Sequence, residues 1–192
     1  QRKMRDCGDN EIEREYWDKR QLVKKINLNS LYGAILNPGC RFFDMRIGQS
    51  VTLTGRCITK HMASKVNEVV AGHYDHKGES IVYGDTDSVY FSAYKTLEKE
   101  IKEGVIPWTK DSVVALYDKI ADEVNSSFKS FMTKAFHTPS TRGEVIAAGR
   151  ELVASKGLFI TKKRYAVLYY DKEGKRADVD GKDGKMKAMG LD

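Results

Sequence analysis

The stretch Ile81-Val82-Tyr83-Gly84-Asp85-Thr86-Asp87-Ser88-Val89-Tyr90-Phe91 sets two β-rich runs, 81–83 and 89–91, around a Gly-Asp-Thr-Asp-Ser turn. That pattern predicts a strand–turn–strand hairpin. Asp85 and Asp87 are two residues apart, so in extended backbone their side chains leave the same face, roughly 6.5–7 Å apart. Carboxylates that close repel, and a hard divalent cation with oxygen ligands relieves the repulsion. Magnesium suits such a pair, because substrate phosphates complete its shell and few protein carboxylates are needed. Gly84 removes a side chain where the turn is tight or another backbone comes near. Taken alone, an Asp-x-Asp turn is more often only a turn, since Gly, Asp, Thr and Ser favour turns.

On either side of the hairpin the periodicity is helical. Residues 11–36 carry Val23, Ile26, Leu31 and Ile35 at helical spacing, and Pro38-Gly39 stops the run. A second helix is expected over 48–70, with Val51, Ile58, Met62, Val66 and Val69 on its buried side. Residues 97–103 suit a short helix. Residues 111–135 predict a third long one, with Val114, Leu116, Ile120, Val124, Phe128 and Phe131 facing inward. After Pro139 the pattern turns to strands over 144–148, 158–161, 164–170 and 185–189, with a turn at 171–174. Helices followed by strands imply an α+β architecture.

Composition narrows the class. Of the 192 residues, 33 are Lys or Arg and 27 are Asp or Glu, a net charge of +6 that favours a polyanionic partner such as nucleic acid. Cys7, Cys40 and Cys57 are far apart and form no CxxC pair, which predicts reduced thiols and a cytoplasmic setting. No apolar run reaches membrane-spanning length, so no membrane partner is expected. The chain begins at Gln1 and stops at Asp192 directly after a strand-like stretch, and is expected to be an excerpt of a longer polypeptide.

Two further groups of residues carry chemistry. Lys25, Asn29 and Tyr32 sit at i, i+4 and i+7, on one helical stripe about 60° wide. A lysine, an amide and a phenol are poor core material, and suit a ligand with phosphates, hydrogen-bonding edges and a stacking surface. Gly33 lets a backbone or base approach closely. Further on, Lys162-Lys163-Arg164-Tyr165 opens an apolar strand, and alternation sends Lys163 and Tyr165 to one face, Lys162 and Arg164 to the other. A basic edge strand that resists aggregation is the plainer reading of that run.

Together these strings resemble the family B DNA polymerases. Tyr83-Gly84-Asp85-Thr86-Asp87-Ser88 matches the palm-hairpin motif letter for letter, and 25–33 is similar to the fingers-helix motif Lys-x3-Asn-Ser-x-Tyr-Gly. Lys162-Lys163-Arg164-Tyr165 resembles the element with which the T-even-type phage branch grips the primer end. The resemblance implies fingers over 1–37 and a palm over 38–192, with an antiparallel sheet backed by long helices. It implies Asp87 as a ligand of two magnesium ions (manganese able to stand in), with Asp85 beside them. Lys25 would contact the incoming dNTP with help from Asn29, Tyr32 would pack by the nascent base pair, and Gly33 would make room for the template. Lys163, supported by Lys162, Arg164 and Tyr165, would hold primer–template DNA. Glu151 matches an acidic residue near the metal site, with a surface salt bridge as its alternative. The implied reaction is template-directed attack of a primer 3′-hydroxyl on a dNTP, in the host-cell cytoplasm for a phage-encoded enzyme.

One departure stands out. The family's other metal-binding aspartate sits in an Asp-x-x-Ser-Leu-Tyr-Pro element, and no such string occurs here. The palm is therefore expected to be incomplete and inactive alone, with the first palm motif upstream in the same polypeptide or on a split-gene partner, and with the partner fingers helix, exonuclease and thumb also missing. The competing reading is a retired polymerase-like module that binds DNA or scaffolds a complex. Retention of Asp85, Asp87, Lys25 and Tyr32 argues against it. A reverse transcriptase or viral RNA polymerase would place two aspartates side by side, where Thr86 intervenes here. His73-Tyr74-Asp75-His76 and 178–184 are expected to be a solvated loop and a turn, and Asn125-Ser126-Ser127 to lie within a helix.

Overall fold

The computed structural model describes residues 10–179 and 181–191, so Cys7 and Asp180 lie outside the described residues. The chain divides into two compact units, the first ending at Thr54 and the second beginning at Gly55.

In the first unit, α1 (Glu11–Leu36) starts at Asn10, whose side chain accepts the Glu13 N–H at 3.2 Å. An asparagine cap of this kind satisfies one of the donors that a helix start leaves free. The helix ends at Leu36, two residues before Pro38, as proline's fixed φ and missing N–H require. After a turn, α2 (Met45–Ala71) begins at Asp44, which accepts the Arg46 N–H at 2.9 Å, so the helix starts before residue 48. Gly48 lets Leu36 lie against it: a Cβ there would fall 2.0 Å from Leu36 Cδ2.

The helix expected over 11–36 is present, and its apolar stripe is largely open. No residue of α1 is buried, and Val23, Ile26 and Leu31 are 56%, 53% and 57% exposed. Val51 on α2 is likewise 52% exposed. Periodicity reported the helix correctly, but among the described residues nothing covers its apolar positions.

The second unit is built on the later turns of α2 and on α4 (Lys110–Phe136). Thr109 caps α4 by accepting the Ser112 N–H at 3.3 Å, and His137 ends it at φ +52°. Val66 on α2 packs with Ile120, Val124 and Phe128 on α4, close to the predicted stripe. Val113 and Met132 are buried too, while Val114, Leu116 and Phe131 are half-buried at the edges. Between the helices lie β1 (Ile81–Asp85), β2 (Ser88–Phe91) and the short α3 (Glu98–Lys102).

After α4 come α5 (Ser140–Gly143), β3 (Leu152–Thr161), β4 (Arg164–Lys172), β5 (Lys175–Arg176) and β6 (Lys185–Met189). All pairings are antiparallel: β1 with β2 in one sheet, and β4 with β3, β5 and β6 in the other. The α+β expectation holds.

Two strand expectations need correction. Residues 144–148 are turn and irregular backbone, not a strand. Ala148 is satisfied instead by the side chain of Asn125 on α4, which accepts its N–H at 2.7 Å and donates to its carbonyl at 2.9 Å. With both groups engaged by an amide, that residue has no need of a ladder. Second, β3 begins at Leu152, well before 158, and Val153 joins Val113 and Tyr170 in a second core cluster.

Candidate active site

β1 and β2 close through Asp85 paired with Ser88, leaving Thr86 and Asp87 as a two-residue turn. Asp85 ends a strand and Asp87 sits in the turn, so the expectation of two carboxylates on one face of extended backbone is corrected here. Asp87 is exposed and Asp85 half-buried. Thr86 has φ +47°, a region that a β-branched residue rarely enters. Three hydrogen bonds hold the tip in place. Thr59 Oγ1 on α2 donates to the Thr86 carbonyl at 2.8 Å, Thr86 Oγ1 donates to Asp85 Oδ1 at 3.0 Å, and Ser88 Oγ donates to the Asp85 carbonyl at 3.1 Å. Strain of this sort persists only where its surroundings enforce it.

The basic run also departs from expectation. Lys162 and Lys163 form the turn between β3 and β4, with Lys163 at φ +63°, and the strand begins only at Arg164. Strand alternation therefore does not govern where the two lysines point. Lys162, Lys163 and Arg164 are all exposed. The Lys163 N–H donates to the Tyr83 hydroxyl at 2.8 Å, which ties the basic turn to the aspartate hairpin across 80 residues of sequence.

Tyr165 is only 5% exposed, and its side chain is wall rather than free surface. Tyr90 donates to its hydroxyl at 3.1 Å. Burial, reinforced by that neighbouring phenol, pushes the Tyr90 hydroxyl well above its ordinary pKa. Tyr83, Tyr90, Phe159 and Tyr165 form a ring cluster with centroids 5.2–6.0 Å apart, joining the two sheets by side chains. Each aromatic pair of this type contributes about 0.5–1.5 kcal/mol beyond its buried area.

A cleft of about 220 Å³ is lined by Asp85, Thr86, Asp87, Ser88, Tyr90, Glu151, Tyr165, Lys187 and Met189. Glu151 thus joins the aspartates on one concave surface. Its expected alternative is present as well, since Lys187 on β6 pairs with Glu151 at 2.7 Å. Among the described residues no three His, Cys, Asp or Glu side chains come close enough to hold a metal ion. Asp85 and Asp87 are oxygen donors of the kind a hard divalent cation such as magnesium takes, and a site built on them needs further oxygen ligands.

A larger cavity of about 560 Å³ is lined by residues 88–91 of β2 and by residues 147–157, which include the start of β3. Met62 and Val66 of α2 and Tyr117, Ile120 and Val124 of α4 also line it. Among the described residues β2 pairs only with β1 and β3 only with β4, so both flanking edges keep unpaired backbone groups.

In the first unit, Lys25 and Asn29 are exposed on α1, and Tyr32 donates to the Gly48 carbonyl at 3.3 Å. Gly33 is exposed, and a Cβ there would meet no atom within 4 Å. Sequence reasoning missed Thr59, Tyr90 and Lys187. Lys187 had a faint signal in the alternating Lys185-Met186-Lys187, whereas Thr59 had none. Among the described residues no helix is long and apolar enough to cross a membrane.

The family model for DNA polymerase family B matches residues 1–192. The chain belongs to that family. It is 34% identical over 184 residues to the DNA-directed DNA polymerase of Escherichia phage RB69, covering 90% of this chain and 20% of the relative. It is 31% identical over 184 residues to that of Enterobacteria phage T4, with the same coverage. The catalytic subunit of DNA polymerase delta from Oryza sativa subsp. japonica is 30% identical over 173 residues, covering 89% of this chain and 13% of the relative. This family B chain therefore spans about a fifth of the length of its phage relatives, and the resemblance read from the three motifs stands.

Proposed function

We propose that this chain supplies part of the fingers (1–37) and an incomplete palm (38–192) of a DNA-directed DNA polymerase. The enzyme would add nucleotides from dNTPs to a primer 3′-hydroxyl in the cytoplasm, of the host cell where a phage encodes it. One observation carries the reading. Asp85, Asp87 and Glu151 line a single cleft, and the basic turn at Lys163 is bonded to the hairpin that bears the aspartates.

Asp87 and Asp85 would hold the magnesium ions together with substrate phosphates, with Glu151 nearby. Bound there, divalent ions supply Lewis-acid activation of the primer hydroxyl and steady the departing pyrophosphate. Lys25 binds the triphosphate with Asn29, Tyr32 packs by the nascent base pair, and Gly33 leaves room for the template. Lys163, with Lys162 and Arg164, grips the primer–template, while Tyr165 braces that grip from the cleft wall.

The chain alone is inactive because the second metal-binding aspartate is absent. The slot between the free edges of β2 and β3 suits an extended strand that brings it. The exposed Val23, Ile26 and Leu31 likewise suit a partner fingers helix. In a primer-extension assay the isolated chain should show no activity. Adding a polypeptide that carries the Asp-x-x-Ser-Leu-Tyr-Pro element, with the rest of the polymerase, should restore it. No gain on addition would count against the proposal.

A further inference from the structure

Lys163 sits in the left-handed region at φ +63°, which the two-residue turn between β3 and β4 calls for and which is uncommon for lysine. Two neighbours hold this one. On one side the Tyr83 hydroxyl accepts its N–H at 2.8 Å. On the other, Gly190, itself at φ +60° just after β6, approaches so closely that a Cβ there would lie 2.4 Å from the Lys163 carbonyl oxygen. The peptide groups flanking Lys163 are thus fixed while its side chain stays exposed. Tyr83 lies on β1 two positions before Asp85, and its ring stands 5.4 Å from Phe159 and 5.7 Å from Tyr165. The hydroxyl that fixes the basic turn is therefore carried on the strand that presents the aspartates.

We infer that Tyr83 is a positioning residue for DNA binding. Its hydroxyl sets the conformation of the Lys162–Lys163 turn, and so the place at which the Lys163 ammonium meets the primer phosphate backbone relative to the aspartate hairpin. This inference rests on the DNA-binding role proposed for Lys163. Without the hydroxyl, the Lys163 N–H turns to water and nothing on that side opposes relaxation of the left-handed backbone. The ammonium then samples many positions, and the ordering that the protein had supplied falls on the DNA complex instead.

The test uses the complete polymerase that contains this chain, with primer–template affinity measured by fluorescence anisotropy and KM for dNTP from primer extension. Tyr83→Phe keeps the ring cluster and should weaken primer–template binding about three- to tenfold, the range of one lost hydrogen bond. KM for dNTP should stay unchanged. Gly190→Ala, which pushes the Lys163 carbonyl from the opposite side, should weaken DNA binding in the same direction. Lys163→Ala should weaken DNA binding by itself, and adding Tyr83→Phe to it should cost nothing further, because the hydroxyl acts through that side chain. Thermal melts check that each variant is folded. Equal weakening by Tyr83→Phe with and without Lys163, or no weakening by Tyr83→Phe in a protein that needs Lys163, overturns the inference alone. Unchanged affinity in Lys163→Ala overturns the DNA-binding role beneath it.

Discussion

The hydroxyl of Thr59, midway along α2, donates to the carbonyl of Thr86 at the tip of the β1–β2 hairpin, 2.8 Å away. The same hydroxyl stands 3.1 Å from the Gly55 carbonyl of its own helix, so it is aimed at the hairpin from a rigid base. Thr86 keeps its unfavourable φ of +47° under that restraint, and with it Asp85 and Asp87 are presented from a fixed turn rather than a mobile loop.

Replacing Thr59 with Val keeps the volume and removes the donor. The Thr86 carbonyl is at an exposed residue and is rehydrated, so the cost should be about 1 kcal/mol. For a domain of this size that lowers the melting temperature by about 2–4 °C. Differential scanning calorimetry measures it, and an unchanged midpoint would show that the tip does not depend on Thr59.

Arg150, which lines the larger cavity, anchors a buried carboxylate. Its guanidinium bonds Asp118, and donates to Asp171 Oδ1 at 2.5 Å, with Asp171 only 2% exposed. Arg150→Ala leaves that carboxylate buried with, among the described residues, only the Gly174 N–H as partner, at 3.1 Å. Loss of one partner of a buried pair costs about 3 kcal/mol or more. Urea denaturation should show it, with Arg150→Lys intermediate because lysine lacks the planar fork that reaches two carboxylates.

His61 gives the fold a pH dependence of definite sign. Its ring is 8% exposed, stacks on Phe131 at 3.9 Å, and has both nitrogens engaged, by Tyr74 at 2.7 Å and Ser127 at 2.9 Å. Burial chiefly, with Lys65 adding to it and Glu68 opposing, holds its pKa below the usual 6.5. The unfolded chain therefore takes up a proton at a higher pH than the folded one, and stability rises with pH across that interval. As pH falls from 7 through 6.5 and below, this contribution should be lost until the folded-state pKa is passed. Urea melts at pH 7.5 and 5.5 on the parent and on His61→Gln measure it, and the variant should show the smaller difference between the two. An equal difference would remove His61 from the effect.

In the first unit, Lys25→Ala should raise KM for dNTP in the complete polymerase about tenfold or more, the range of a lost charge-assisted hydrogen bond to phosphate. Primer–template affinity should not change. A DNA-binding defect without a KM effect would move Lys25 from the nucleotide to the duplex.

How much was legible in the sequence depended on whether local chemistry or distant packing decided each feature. The hairpin at 81–91 was legible because two β-rich runs and a turn-forming stretch agree. The Ile120, Val124 and Phe128 stripe was legible because helical spacing determines which residues share a face. The left-handed turn at Lys163 was not, since no glycine or asparagine marks the two-residue turn between β3 and β4. Tyr83 and Gly190, far away in sequence, hold it there. Residues 144–148 carry strand-like side chains but meet the amide of Asn125 where a neighbouring strand was expected. The bare face of α1 was equally invisible, because periodicity reports which residues are apolar and not whether anything covers them. Within the candidate site, spacing and motif together point to Asp85 and Asp87, and the motif alone points to Glu151. Lys187, which pairs with Glu151, becomes evident only once β6 is laid beside β4.

The most direct measurement is single-turnover primer extension by the complete polymerase with Asp87→Asn against the parent, with primer–template affinity measured alongside. Asparagine keeps the size of the side chain and removes the charge that would hold the divalent ions. If Asp87 carries the metal chemistry, extension should fall by at least about a thousandfold, on the order of 4 kcal/mol in the barrier, while DNA affinity changes little. Extension at the parental rate would contradict the account.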